Sequence, residues 1–206
     1  MSAGVTRNQP VTGVIVAGGE NQRFGGAPKG LARVGGERII DRVAKAIRVV
    51  TQNIVLVANA PDAEAWLPGV TVVRDTRPER GSVVGLYSAL AGATDVRLVV
   101  AWDMPFVSAD LLKFVVERIG DGATAVVPEG PRGPEPFCAA YTAACVPVIE
   151  GAIERGEFRM SSLVGLLPNL LRLTADDVRR FGDPERLFFN VNDAADLEKA
   201  ESMLGG

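Results

Sequence analysis

The stretch "VIVAGGENQRFGGAPKGL", Val14 to Leu31, runs from a branched apolar segment straight into glycines. Val14, Ile15 and Val16 read as the end of a buried strand. Gly18-Gly19 and Gly25-Gly26 let the backbone approach an anion closely and turn its N–H groups inward. Arg23 and Lys29 add positive charge to the same loop. In an open α/β sheet, ligands sit at the carboxyl ends of the strands, where this loop falls. The pattern is not G-x-G-x-x-G, because Gly18 and Gly19 are adjacent and the next glycine is Gly25. It is not a Walker loop either, because Gly30 follows Lys29 where that loop has Ser or Thr. A solvated surface loop could share this composition. The long spacing and the two cations after a strand favour a triphosphate.

Outward from this loop, short apolar runs alternate with helical patterns. "TGVIVA" (12–17), "NIVLVA" (53–58), "VTVV" (70–73), "VRLVVAW" (96–102) and "ATAVVP" (123–128) read as strands. Between them, 37–50 places Ile40, Val43, Ile47 and Val50 at helical spacing, and 83–93 is a second helical run. Ser108 is the expected cap of a helix over "ADLLKFVVERIG". This rhythm predicts an α/β fold: a mainly parallel sheet with helices on both faces. In the second half, "PFCAAYT" (136–142) reads as an antiparallel strand. Pro147 opens a helix running to about Gly156. "NLLRLT" (169–174) and "RLFFNV" (186–191) read as late strands, and Asp193 caps a final helix through Met203. One domain over 1–206 is expected, with a nucleotide-binding half (about 12–110) and an acceptor-binding half (about 111–206).

Composition narrows the chemistry. The chain has 206 residues, 47% of them hydrophobic, and a net charge of −3, which leaves no electrostatic footprint for nucleic acid. No apolar run reaches membrane-spanning length, and "MSAGVTRNQP" has no signal-peptide core. Cys138 and Cys145 suit neither a zinc site nor a disulfide framework. A cytoplasmic protein is expected. There is no histidine, which removes Ser-His-Asp and Cys-His nucleophiles and every His-liganded metal. Carboxylates, Lys, Arg, backbone dipoles and a hard oxygen-bound cation remain. Phosphoryl and nucleotidyl transfer suit that set, because positioning and charge neutralisation do most of the work.

Two carboxylates stand just past strands. Asp103 in "VVAWDMPF" is placed either to hold magnesium against phosphates or to cap a turn. Trp102 beside it reads as packing. Asp75 in "VTVVRDTRPERGSVVGLYSAL" sits among Arg74, Arg77, Glu79 and Arg80 and is compatible with a solvated turn. Asn59, ending another strand, is either a turn residue or a purine or ribose contact. Strand alternation in "FFNVNDAADLEKA" would send Asn190 and Asn192 to one face, just before a helix N-terminus.

"VAGGENQRFGGAPKGL" resembles the nucleotidyltransferase signature L-A-G-G-x-x-x-R-[MF]-G-G-x-x-K-x-L. The double glycine after Ala17 and the ending G-G-x-P-K-G-L are most similar to molybdenum cofactor guanylyltransferases. Val16 replaces the usual Leu. The resemblance spans about 12–201 and implies a three-layer α/β/α Rossmann-like fold. It implies transfer of GMP from GTP to the terminal phosphate of molybdenum-molybdopterin. It makes Asp103 the magnesium ligand of a D-x-P motif, and Lys29 and Arg23 its catalytic partners. Nucleotide contacts fall to Val16, Ala17, Gly18, Gly19, Lys29, Asn59, Asp75, Gly81 and Asp103. Gly81 opens a stretch similar to G-P-L-x-G, in which Ser82 replaces Pro. Val57 replaces a family Asn ahead of Asn59. Acceptor contacts fall to Asn190 and Asn192, from an N-V-N-x-x-x-D-L-like motif, and to Arg159 in "GEFRMSSL". "PRGPEPFCAAY" (131–141) is similar to the family's E-P-L-x-A-x-Y strand. Mg2+ is the implied cofactor, GTP and molybdenum-molybdopterin the implied partners, with contact to cofactor insertion proteins and none to nucleic acid or membrane. Rival readings are a molybdopterin cytidylyltransferase, a phospholactate guanylyltransferase, a sugar-phosphate nucleotidyltransferase, or a GTP-binding module without catalysis.

Overall fold

A computed structural model describes residues 9–18, 28–75, 77–79, 81–120 and 122–205. The strands are β1 (Val11–Ala17), β2 (Arg33–Val34), β3 (Glu37–Arg38), β4 (Ile54–Ala58), β5 (Thr71–Val73), β6 (Val96–Ala101), β7 (Ala125–Gly130), β8 (Gly133–Pro134), β9 (Cys138–Tyr141) and β10 (Leu170–Leu173). The helices are α1 (Ile39–Arg48), α2 (Ser82–Leu90), α3 (Ala109–Ile119), α4 (Val146–Glu154), α5 (Met160–Leu166), α6 (Ala175–Arg179), α7 (Pro184–Leu187) and α8 (Ala194–Leu204).

The central sheet runs β10-β7-β9-β6-β1-β4-β5, with β8 on the side of β7. β6, β1, β4 and β5 pair parallel, as do β7 and β10. β9 is antiparallel to both β6 and β7, as "PFCAAYT" suggested. Strands from both halves of the chain therefore share one sheet. The connection from β1 moves outward to β4 and β5, and the chain then returns to β6 on the other side of β1. That reversal opens a crevice beyond the carboxyl ends of β1 and β6.

Period-two alternation explains the layers. Ile15, Leu56, Leu98 and Val100 point to one face, against Ile40, Val43 and Ile47 of α1 and Leu111, Leu112 and Val115 of α3. Val14, Val16, Val57 and Val99 point to the other, against Val84 and Leu86 of α2, Ile149 and Ile153 of α4 and Leu163 of α5. Because both faces are covered, the parallel strands read as unbroken apolar runs. Ser108 caps α3 through an acceptor contact with the Leu111 N–H, as anticipated.

The expected late strand over 186–191 is not formed. Asp183 accepts from the Glu185 N–H at 3.1 Å and Pro184 takes the first helical position, so a short helix, α7, starts there instead. That N-cap and Pro combination outweighs the β propensity of "RLFF". The chain then runs without strand pairing through Phe188 and Val191, both buried in the core. One backbone bond ties it down: the Val191 N–H donates to the Asp103 carbonyl at 2.9 Å. Strand alternation therefore does not govern Asn190 and Asn192. The last helix is capped by Asp193, whose side chain accepts from the Asp196 N–H at 2.9 Å.

Candidate active site

The crevice is a cleft of about 870 Å³ bounded by the ends of β1, β4 and β6, the start of α2 and the approach to β9. Val16, Ala17 and Gly18 form its floor beside Asn59, Asp75, Gly81 and Asp103, and Asn190 reaches it from the segment before α8. These residues come from distant parts of the chain and are assembled by the strand reversal. Arg23 and Gly19 lie outside the described residues.

Asp103 is one of few charged groups in the interior, 7% exposed. It follows β6 by two residues, so the buried strand carries it to the rim of the sheet. Lys29, in a single 3-10 turn over Lys29–Leu31, places Nζ 2.5 Å from Asp103 Oδ2. The same ammonium donates to Asn192 Oδ1 at 3.1 Å. Asn192 in turn donates from its backbone N–H to Asp196 Oδ2 at 2.9 Å. The first motif, the D-x-P motif and the N-V-N motif thus meet at one ammonium. Asp103 Oδ1 is buried and has no hydrogen-bond partner among the described residues. A buried carboxylate oxygen without a donor is costly unless something else satisfies it.

That spare oxygen fits a hard cation. No cluster of three or more His, Cys, Asp or Glu exists among the described residues. A site with so few protein oxygens suits Mg2+, which keeps waters and takes substrate phosphates alongside one or two carboxylates.

Asn59 and Asp75 are engaged with each other. Asn59 Nδ2 donates to Asp75 Oδ2 at 2.6 Å, and the Asp75 N–H donates back to Asn59 Oδ1 at 2.9 Å. The Ser88 hydroxyl of α2 fills the other Asp75 oxygen at 2.7 Å. Arg74 donates to the carbonyls of Asn59 and Ala60 at 3.1 and 3.2 Å. Asn59 and Asp75 both line the cleft. Gly81 starts α2 with φ +129°, a backbone conformation that L side chains rarely adopt, so glycine is required there. The first turn of α2 then faces the cleft through Gly81 and Ser82, bringing the positive end of a helix dipole to it.

Some assigned residues part from the site and others join it. Arg159 is exposed at the N-cap of α5 and does not line the cleft. Four side chains not singled out for function do line it. Glu135 sits just ahead of β9, and burial pushes its carboxyl up to about 7 against a smaller opposing pull from Arg132. Trp66 and Trp102 stack with ring centroids 5.0 Å apart. Arg77 also lines the cleft and bonds Glu150 of α4 at 2.5 Å. The Glu135 signal lay in the E-P-L-like strand. Trp66 carried no motif at all.

A Rossmann-like sheet, a cation–carboxylate pair at its switch point and a helix N-terminus facing the same cleft define a nucleotidyltransferase. The chain matches the MobA-like NTP transferase domain over residues 13–177 and belongs to that family. It is 35% identical to the molybdenum cofactor guanylyltransferase of Desulfosudis oleivorans, with 94% of this chain and 96% of the relative covered. It is 33% identical to a probable molybdenum cofactor guanylyltransferase of Pelotomaculum thermopropionicum, over 93% and 92%. The crystal structure of molybdopterin-guanine dinucleotide biosynthesis protein A from Archaeoglobus fulgidus superposes with a TM-score of 0.78. It is 25% identical, with 94% of this chain and 98% of that chain covered.

Proposed function

We propose that this enzyme transfers GMP from GTP to the terminal phosphate of molybdenum-bound molybdopterin, giving the guanine dinucleotide cofactor and pyrophosphate. The observation that carries the reading is the meeting of Lys29 with Asn192 and with Asp103, the one of the three that lines the cleft. It joins a loop, a strand-end carboxylate and an amide to which this reading gives the triphosphate, the metal and the acceptor, in a chain whose relatives are named for this activity.

An acceptor phosphate oxygen attacks the α-phosphorus of GTP, and the bond from that phosphorus to the α–β bridging oxygen breaks. The electron pair leaves with pyrophosphate. The acceptor is already anionic, so no general base is required, which agrees with a chain that lacks histidine. The protein must hold the attacking oxygen in line and neutralise charge on the leaving group. Asp103 would hold Mg2+, which would supply neutralisation of phosphate charge. Lys29 stands beside it and, with Arg23 and the glycine-loop N–H groups, stabilises the leaving pyrophosphate. The Asn59–Asp75 pair and the Gly81 turn position the nucleoside. Asn190 and Asn192 orient the acceptor. A cytoplasmic setting is in keeping with two buried cysteines that form no disulfide. No described helix is long and apolar enough to cross a membrane.

The test is pyrophosphate release with GTP, CTP and ATP in turn, each with and without molybdenum-molybdopterin. Release with GTP and this acceptor alone is expected. Faster release with CTP would identify a cytidylyltransferase. Release only with a sugar phosphate or phospholactate would reassign the acceptor. GTP binding with no release from any acceptor would leave a binding module.

A further inference from the structure

Trp102 immediately precedes Asp103, and its ring is almost wholly buried, at 2% exposure. It stacks on Trp66 with an interplanar angle of 21°. Trp66 is held from its own side, since its Nε1–H donates to Asp62 Oδ2 at 3.1 Å. The backbone of Trp102 is also fixed, its N–H donating to the Val16 carbonyl at 3.2 Å. The stack is therefore anchored at both members.

Against this anchored ring lies Gly30, the residue after Lys29. A Cβ added at Gly30 would stand 2.4 Å from Trp102 Cε3 and 2.6 Å from Cδ2. Only glycine allows the backbone to rest on the indole so closely. Both contacted atoms belong to the six-membered ring. One step along each chain, Lys29 meets Asp103. The packing contact and the ion pair are thus neighbouring rungs between the same two segments.

The indole is an awkward choice for mere filling. Trp102 Nε1 is buried with no acceptor among the described residues. An orphaned N–H disfavours tryptophan against phenylalanine, which has no polar atom to strand. The wide ring system does what a smaller one does less well: it reaches Trp66 and the Gly30 backbone together.

We propose that Trp102, braced by Trp66, is a positioning residue: it sets where the Lys29 turn sits, so that the ammonium reaches Asp103 and the phosphates of a bound nucleoside triphosphate. The proposal rests on reading Lys29 as a triphosphate ligand. A lysine side chain is long and flexible, so the position of its backbone decides where its charge can be held. Gly30 is the contact through which the ring acts on that backbone.

The test compares Gly30→Ala, Trp102→Leu, Trp102→Phe, Gly30→Ala with Trp102→Leu, Lys29→Ala, and Lys29→Ala with Gly30→Ala. GTP with Mg2+ is titrated by calorimetry, and thermal midpoints are recorded. Gly30→Ala is expected to weaken GTP binding about tenfold or more, the order of loss that follows when a charge-assisted contact to phosphate is broken. Adding Trp102→Leu gives the new methyl room and should restore part of the affinity. Adding Gly30→Ala to Lys29→Ala should weaken binding no further, because the contact acts only through Lys29. Wild-type GTP affinity in Gly30→Ala, with Lys29→Ala weakened, overturns the positioning role and leaves the triphosphate reading standing. Wild-type affinity in Lys29→Ala overturns both. A loss from Gly30→Ala that adds fully to Lys29→Ala marks general structural damage and also overturns it. Should Gly30→Ala not fold, the ring variants decide: Trp102→Phe is expected to bind GTP between wild type and Trp102→Leu. Equal, wild-type binding by both would sink the idea.

Discussion

Lys29 Nζ stands 2.5 Å from Asp103 Oδ2, and the other oxygen of that carboxylate has no partner among the described residues. The side chains are 14% and 10% exposed, so water screens the pair only in part. On the proposed function, one carboxylate would serve two cations. The ammonium takes one oxygen, and a metal would approach the other. In the absence of metal, Lys29 supplies the charge that keeps a largely buried Asp103 tolerable.

If Lys29 binds the triphosphate as proposed, Lys29→Ala removes a charge-assisted contact worth about 1.5–3 kcal/mol. GTP affinity should fall on the order of tenfold to a hundredfold, read by calorimetry. The structure adds a cost in stability, because Asp103 would lose the one cation paired with it among the described residues. Breaking a fully buried pair costs about 3–5 kcal/mol, and the residual exposure here makes the loss smaller. Mg2+ should restore more thermal stability to the variant than to the wild type, since it can replace the missing charge. A large fall in thermal midpoint with unchanged GTP affinity would count against Lys29 as a phosphate ligand.

Asp103→Asn keeps the shape and an oxygen for Lys29 but removes the negative charge a metal needs. Turnover should fall on the order of 10³-fold or more, as for loss of a charge-stabilising group in a transition state. Asp103→Ala should abolish it. Pyrophosphate release across a Mg2+ titration reads both effects. Near-normal turnover in either variant removes this carboxylate from the mechanism.

Asn59→Ala and Ser88→Ala each strip one donor from Asp75, which accepts from both side chains. If the pair is a nucleoside-positioning wall, KM for GTP should rise several-fold in both variants with kcat little changed. The Ser88–Asp75 bond is also lost, which should lower stability by about 0.5–1.5 kcal/mol, since the half-exposed Asp75 carboxylate can take water in its place. An unchanged KM in both would confine the pair to a structural role.

Much of this was legible in residues Val11 to Tyr141. Strands covered on both faces leave unbroken apolar runs, and Val14–Val16, Leu56–Val57 and Leu98–Val100 are such runs. The carboxylate at the end of β6 and the lysine after β1 could also be read, because motif spacing encodes them. The segment before α8 could not. "RLFFNV" has strand propensity, yet the Asp183–Pro184 helix start and a single bond to the Asp103 carbonyl decide its course. Local propensity carries no information about either partner. Likewise, Asn59 and Asp75 were separately readable as ligand contacts, and only the pairing of β4 with β5 brings them together. The Trp66–Trp102 stack depends on the same kind of long-range packing. Trp66 stands in no strand, helix or motif.

Glu135 gives the protein a pH-dependent stability that one substitution should remove. Burial, more than the opposing pull of Arg132, lifts its carboxyl from 4.5 to about 7, and Glu129 adds to the rise. Between those values the folded chain binds more proton than the unfolded chain. Stability therefore falls as pH rises from about 4.5 to about 7 and levels off above. A shift of this size corresponds to about 3 kcal/mol if fully expressed. Water at the cleft-lining carboxyl should reduce it to about 1–2 kcal/mol. Glu135→Gln has no proton to lose, so its stability should be flatter over this range and exceed the wild type at pH 8 by that amount. Urea unfolding of both proteins at pH 5, 6, 7 and 8 measures the difference directly. Parallel pH profiles would show that Glu135 ionises as it does in water.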